Sequence, residues 1–136
     1  MKAIHVVVGV IINDDNQVLI AKRASHQHQG NKWEFPGGKV DNAETAEEAL
    51  SRELQEELNI EIQSAIHITD IIHTYTDEDR GDKTVFLDVY EVREWLGEAR
   101  GQEGQPIRWV EISELNKYEF PDANVKILSR ITENAK

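Results

Sequence analysis

The chain has 136 residues, of which 39% are hydrophobic and 30% charged, and its formal net charge is −11. This length and apolar content fit one domain over residues 1–136 with one core. The negative charge argues against duplex DNA or RNA as a partner, because affinity for those polymers depends on Lys and Arg. A small phosphorylated ligand stays compatible, since metal ions and a few placed basic residues can invert the local field.

The sequence contains no run of about 18 apolar residues that could cross a membrane. Its first residues lead directly into a strand pattern and lack the cleavage-site pattern of a signal peptide. The chain has no cysteine, which excludes disulfides and thiolate chemistry. We therefore expect a cytoplasmic protein with no membrane partner.

The predicted elements begin with two segments rich in β-forming residues. Residues 4–12 form the first, a turn cluster at residues 13–16 follows, and residues 18–22 form the second. This order predicts a hairpin. A polar loop over residues 24–32 then leads to a short strand at residues 33–35.

A Pro-Gly-Gly turn at residues 36–38 ends that strand, and a helix follows the turn. Thr45 and Glu48 have the spacing of a capping box, in which each side chain binds the other residue's backbone N–H. The apolar stripe of this helix repeats every four residues, at Leu50, Leu54 and Leu58. Such a stripe packs on a core.

Strands and loops alternate beyond this helix, and a last helix closes the pattern. The strands cover residues 60–76, 84–92 and 107–110, and the loops cover residues 77–82 and 97–105. The last helix runs from Asp122, a candidate N-cap, to about Thr132. Strands, a central helix, more strands and a terminal helix predict an α+β sandwich.

Three carboxylates crowd one sector of the first helix. Glu53, Glu56 and Glu57 are spaced i, i+3 and i+4, and like charges at i, i+4 cost a helix roughly 0.2–0.5 kcal/mol per pair. A divalent cation would turn that cost into a gain. Oxygen-only ligands are those that Mg²⁺ or Mn²⁺ prefers, and the absence of His and Cys from the cluster makes zinc unexpected.

Arg52 sits directly before this cluster. It could pair with Glu48 or Glu56 one turn away, or its guanidinium could orient Glu53. The glycines at residues 37–38 would let the backbone approach a metal or a phosphate, and the neighbouring lysine offers a positive charge.

Five histidines are present, and none predicts a metal site. His26 and His28 lie in a polar loop without a third ligand in view, although His28 is a candidate substrate contact. His5, His67 and His73 alternate with apolar residues in strands, which favours a structural role.

Residues 38–60 resemble the signature of the Nudix hydrolase family: Gly, five residues, Glu, seven residues, then Arg-Glu-apolar-x-Glu-Glu-x-Gly-apolar. The matching residues are Gly38, Glu44, Arg52, Glu53, Leu54, Glu56, Glu57 and Ile60. Asn59 replaces the last Gly at a position like a helix C′ site, where Asn tolerates the left-handed region best after Gly. The segments that resemble the MutT-type branch of the family are residues 31–39, 95–98, 101–109 and 120–124.

This resemblance implies a Nudix-type α/β/α sandwich with a mixed central sheet. It also implies hydrolysis of a nucleoside triphosphate, most favourably 8-oxo-dGTP, to the monophosphate and pyrophosphate, with water attacking the β-phosphorus. The implied cofactor is Mg²⁺, with Mn²⁺ as an alternative. Its implied ligands are Glu53, Glu56, Glu57, Glu103 and a backbone carbonyl in the Gly38 region.

The resemblance also assigns catalytic and substrate-binding roles. Arg52 would orient Glu53, and the candidates for the general base are Glu53, Glu44 and Glu103, of which Glu53 is favoured. The substrate contacts carried over are Arg23, His28, Phe35, Lys39, Lys83 and Asn124. Asn124 matches the side chain that reads the polar edge of the purine, and such a site rejects bases that leave its polar groups unpaired.

Three alternatives stay open. The substrate could be CTP, 5-methyl-dCTP or ADP-ribose, although the Phe-Pro-x-Ala-Asn segment at residues 120–124 favours a purine. The chain could sense a nucleotide without hydrolysing it, which three metal-binding glutamates oppose, and a scaffold role has no positive support. No pattern marks a self-complementary surface, so we expect a monomer whose partner is a small nucleotide.

Overall fold

The computed structural model describes residues 3–27 and 30–134. The strands are β1 (Ile4–Ile11), β2 (Gln17–Lys22), β3 (Trp33–Glu34), β4 (Gly37–Lys39), β5 (Glu61–Tyr75), β6 (Lys83–Leu96) and β7 (Ile107–Glu111). The helices are α1 (Ala46–Leu58), a 3-10 helix (Ile112–Lys117) and α2 (Asp122–Asn134). No helix in the described part of the chain has both the length and the apolar character needed to cross a membrane.

The strands form two sheets. The larger sheet has the order β4-β1-β6-β5, in which β1 and β6 run parallel while the outer pairs are antiparallel. The smaller sheet has the antiparallel order β3-β2-β7. The larger sheet is therefore mixed, as the family resemblance implies.

Both faces of β1 are covered by a helix. Val7 and Ile11 pack in one hydrophobic cluster with the apolar stripe of α1, whereas Val8 and Val10 pack in a second cluster with Ile127 of α2. Successive side chains of a strand point to opposite faces, so this strand supplies both clusters. The result is the expected sandwich, with α1 on one side of the sheets and α2 on the other.

The local signals at the ends of α1 are confirmed. Thr45 and Glu48 form both hydrogen bonds of the capping box. Asn59 ends the helix in the left-handed conformation, with φ 62° and ψ 33°, and its N–H donates to the carbonyl of Gln55. Because these caps fix where α1 starts and stops, they also fix the register in which its glutamates face the sheet.

The predicted hairpin of the first two strands was wrong. The expected hairpin reduces to one bridge, between Ile12 and Val18, because β1 and β2 belong to different sheets. The strand that begins at Trp33 ends before Pro36, as predicted, but the glycines that follow do not form only a turn, since residues 37–39 form β4 and pair with Val6, Val7 and Val8 of β1. Asp122 is the first residue of α2 and not its predicted N-cap.

Candidate active site

Arg52 is the centre of a carboxylate network on the surface of α1. Its Nε and Nη2 bind the two oxygens of Glu44 at 2.7 and 2.9 Å, and its Nη1 donates to Glu53 Oε1 at 2.9 Å. Nη2 also donates to the carbonyl of Lys39 at 3.1 Å, and Nη1 lies 3.5 Å from Glu56 Oε2. Arg52 therefore contacts Glu53 and Glu56, whereas Glu48 forms the capping box with Thr45 and not a pair with Arg52.

The contact with Arg52 changes the acidity of Glu44. The hydrogen bonds from Arg52 lower the pKa of Glu44 to about 2, and the backbone N–H of Asp41 adds to the effect. Glu44 is thus ionised throughout the neutral range. Its two-point contact with the guanidinium makes it a positioning group for Arg52.

Gly38 gives Glu53 its place against the sheet. A Cβ atom at residue 38 would lie 2.3 Å from the carboxyl carbon of Glu53 and 2.4 and 2.6 Å from its oxygens. Only glycine at this position leaves room for the Glu53 carboxyl group, so a side chain at residue 38 would displace it. Burial raises the pKa of Glu53, and Arg52 partly offsets this rise.

A loop after β6 carries Glu103 to the same end of α1. The carbonyl of Glu57 accepts hydrogen bonds from the N–H of Gln102 at 2.9 Å and from Nε2 of Gln105 at 3.1 Å. The N–H of Glu103 donates to Oε1 of Gln105 at 2.9 Å. This loop is consequently fixed to α1, and the Glu103 charge acts on both Glu53 and Glu57.

Glu57 is the most perturbed carboxyl of the group. Burial is the largest cause that raises its pKa to about 8, and the negative charges of Glu53, Glu34 and Glu103 raise it further. The N–H of Gly37 donates to it and opposes this rise. Within the described part of the chain, Glu57 forms no ion pair with a basic side chain.

The donor set here fits a hard divalent cation. Glu53, Glu57 and Glu103 offer carboxylate oxygens only, which Mg²⁺ and Mn²⁺ prefer. Burial and the neighbouring negative charges raise the cost of the ionised state at Glu53 and Glu57, and a nearby cation removes that cost. Glu56 lies at the rim, with a side chain that is 58% exposed.

A cleft of about 320 Å³ opens beside this group. It is lined by the described members of the predicted substrate set, namely Arg23, Phe35, Lys39, Lys83 and Asn124. Glu57 also lines the cleft, and it lines a neighbouring cavity of about 200 Å³ that contains Glu103 as well. Glu57 therefore connects the carboxylates of α1 and Glu103 with the cleft. His28 lies outside the described residues.

Three contacts shape the cleft wall. Phe35 is buried, its ring stacks on Phe120 at 5.2 Å, and its N–H donates to Oδ1 of Asn124 at 3.1 Å. Arg23 Nη1 donates to Oε1 of Glu34 at 2.7 Å. Burial raises the pKa of Glu34, and Arg23 opposes this effect.

Glu34 and Tyr75 also line this cleft, and the sequence analysis did not predict either as a site residue. Glu34 could have been predicted from the sequence, because it directly precedes Phe35 in the segment that resembles the MutT-type branch. Tyr75 could not, since a tyrosine at the end of a strand has no distinctive pattern.

A separate group of ligating atoms lies on strands β5 and β6 of the larger sheet. Among the described residues, the Nε2 of His67 and carboxylate oxygens of Asp70 and Asp88 all lie within 4.8 Å of one another. His67 Nε2 is 2.7 Å from Asp70 Oδ1, and His5 Nε2 is 3.2 Å from Asp88 Oδ2. His5 and His67 are 41% and 45% exposed, so they are surface partners of Asp88 and not part of the core.

The raised pKa of Glu57 predicts how the metal-free protein responds to pH. Its carboxyl has a higher pKa in the folded chain, about 8, than the ordinary value of 4.5, so the folded state binds more protons in between. The free energy of unfolding therefore falls as the pH rises from about 4.5 to about 8. In EDTA, Glu57→Gln should gain melting temperature relative to the wild type across that range. A difference that does not change with pH would contradict this prediction.

The comparisons with known proteins agree with this geometry. A family model described as the NUDIX domain matches residues 7–130. The chain is 37% identical to the 8-oxo-dGTP diphosphatase of Escherichia coli K12 over 131 residues, which cover 96% of this chain and 98% of that protein. It is 33% identical to the CTP pyrophosphohydrolase of the same organism over 128 residues, with coverages of 94% and 90%.

A solved structure gives the same result. It comes from a study of MutT from Aliivibrio salmonicida and Vibrio cholerae, superposes with a TM-score of 0.81 at 34% identity, and the match covers 98% of this chain and 99% of that one. The family model thus spans most of the sequence, and both relatives match it almost end to end. The chain belongs to the NUDIX domain family, and its sandwich is the Nudix fold.

Proposed function

We propose that this protein hydrolyses nucleoside triphosphates, and 8-oxo-dGTP above all, to the monophosphate and pyrophosphate with Mg²⁺ as cofactor. One observation carries the proposal: Glu57 belongs both to the carboxylate group of α1 and to the wall of the cleft that Phe35 and Asn124 line. A nucleotide whose base occupies this cleft would direct its phosphates toward the carboxylates. The relative named 8-oxo-dGTP diphosphatase supports the substrate, and Nudix hydrolases generally use a divalent metal.

The oxygen donors of α1 and its neighbours would hold the metal. They are Glu53, Glu56, Glu57, Glu103 and the backbone near Gly38. When bound, the ion supplies neutralisation of phosphate charge and makes a water molecule more acidic. Mn²⁺ satisfies the same donor preference.

Glu53 is the proposed general base. Arg52 and Gly38 fix its carboxylate, and burial raises its pKa above the ordinary value, which brings it closer to the neutral range that proton transfer requires. Glu103 and Glu44 are the other candidates. Glu44 is the weaker of these, because a carboxylate with a pKa near 2 that is bound to Arg52 at two points is a poor proton acceptor.

Basic side chains at the cleft would complete the site. The cleft is lined by Arg23, Lys39 and Lys83. Their positive charges would offset the negative charge of the phosphates as the leaving pyrophosphate forms. Phe35 and Asn124 would hold the base. Strands β1, β2, β6 and β7 contribute to both hydrophobic clusters, which supports the proposal that one domain performs the whole reaction.

The substrate is tested by competition in a single mixture. We would incubate the protein with Mg²⁺ and equal concentrations of 8-oxo-dGTP, dGTP, CTP and ADP-ribose, and follow all four by chromatography. We expect 8-oxo-dGTP to disappear first. Faster loss of CTP would instead favour an activity like that of the second E. coli relative. Faster loss of ADP-ribose would also overturn the substrate, and no turnover of any nucleotide would support a sensor.

A further inference from the structure

Tyr75 joins two parts of the cleft that are far apart in sequence. It is the last residue of β5, its half-buried side chain lines the cleft, and its neighbour across the sheet is Lys83, the first residue of β6. Its hydroxyl oxygen accepts a hydrogen bond from the backbone N–H of Ala123 at 2.9 Å. This contact ties the end of β5 to the beginning of α2.

The N–H of Ala123 needs such a partner. The first N–H groups of an α-helix have no acceptor within the helix, and α2 begins at Asp122. Asn124 and Val125 direct their N–H groups back to the carbonyl of Pro121, at 2.9 and 3.1 Å. Ala123 is itself buried, so its N–H would be costly to leave without an acceptor.

Asn124, the residue after Ala123, is proposed to recognise the base. Asn124 uses Oδ1 to accept the N–H of Phe35 at 3.1 Å, which leaves the N–H donors of its amide to recognise a ligand. Its backbone position is set by the first turn of α2, and Tyr75 anchors that turn from outside the helix. A small rotation of the turn would change both the bond to Phe35 and the direction of the amide.

We propose that the Tyr75 hydroxyl is a positioning group for base specificity, acting through Ala123 on Asn124. This inference rests on the proposed function, because it assumes that the cleft binds the base of a nucleotide. It assigns Tyr75 no part in the chemical step. Loss of the hydroxyl should therefore weaken discrimination between bases. The rate at which bound substrate is hydrolysed should stay almost unchanged.

The test compares Tyr75→Phe, which keeps the ring and removes only the hydroxyl, with the wild type. Calorimetry would measure the Kd values of 8-oxo-dGMP and dGMP, which require no turnover. We expect the preference for 8-oxo-dGMP to fall about fivefold, as for the loss of one hydrogen bond. For 8-oxo-dGTP hydrolysis, KM should rise by a similar factor while kcat stays within about twofold.

Tyr118→Phe is the matched control. The Tyr118 hydroxyl also accepts one hydrogen bond, from Nη1 of Arg108 at 3.2 Å, but this residue lines neither cavity. The control should preserve the binding preference and both kinetic constants. An equal loss in both variants would mean a general structural effect and would overturn the proposal.

Amide hydrogen exchange provides a readout that is independent of nucleotides. In Tyr75→Phe, the N–H of Ala123 should exchange faster, while that of the buried Ile127 one turn later should not. Unchanged exchange at Ala123 would overturn the anchoring contact, and faster exchange with an unchanged Kd ratio would overturn its role in specificity.

If the wild type binds the monophosphates selectively but hydrolyses no triphosphate, the proposed function fails while the inference about Tyr75 is still decided by the Kd ratio. If it binds neither monophosphate, the inference fails as well.

Discussion

Glu53→Gln is expected to lower kcat for 8-oxo-dGTP by about 10²–10⁴-fold, the range for loss of a general acid–base group. The substitution keeps the size of the side chain and its place against Gly38, but it removes the negative charge and the basic oxygen. Folding should persist, because burial already disfavours the ionised form of Glu53. Steady-state kinetics at saturating Mg²⁺ would measure the loss, and a melting curve would verify the fold.

Glu47→Gln is the control for this experiment. Glu47 is an exposed residue in the first turn of α1, so it carries the same chemical change on the same helix. Its kcat should stay close to that of the wild type. If Glu53→Gln kept more than about a tenth of the activity, the base would have to be another group, and Glu103 would be the next residue to substitute.

Asn124→Ala is expected to reduce the selectivity for 8-oxo-dGTP over dGTP on the order of 10²-fold, because it removes the polar group proposed to read the base. It also leaves the N–H of Phe35 without its acceptor. The measurement is the ratio of kcat/KM for the two nucleotides. An unchanged ratio would contradict the proposal that Asn124 recognises the base.

Asn124→Asp separates recognition from structure. Aspartate can still accept the N–H of Phe35 but has no N–H to donate. It should therefore keep the melting temperature better than alanine does while losing selectivity to a similar extent. Asn116→Ala, at an exposed position of the 3-10 helix, should change neither property.

The features that the sequence predicted well are local ones. The capping box of Thr45 and Glu48 and the left-handed Asn59 involve neighbours within one or two helical turns, so the residue types alone specify them. The spacing of Glu53, Glu56 and Glu57 likewise follows from the period of the helix. The family resemblance then added Glu44 and Glu103, which no local pattern connects with the helix.

The features that the sequence did not predict depend on contacts between distant segments. β1 pairs with β6 and β4 and shares only one bridge with the β2 region that follows it in the chain, and its two faces lie in two different hydrophobic clusters. Arg52 had several carboxylates within reach, and its two-point contact with Glu44 forms only because the segment before α1 folds back onto the helix. Tyr75 reaches the N–H of Ala123 only because β5 ends beside the start of α2.

The central claim is metal-dependent cleavage that releases pyrophosphate, and one product analysis tests it most directly. We would incubate the protein with 8-oxo-dGTP in Mg²⁺ and, in parallel, in EDTA, and identify the products by chromatography and ³¹P NMR. We predict 8-oxo-dGMP and pyrophosphate in equal amounts with Mg²⁺, and no turnover in EDTA. Release of the diphosphate with inorganic phosphate, or turnover that persists in EDTA, would contradict the proposed function.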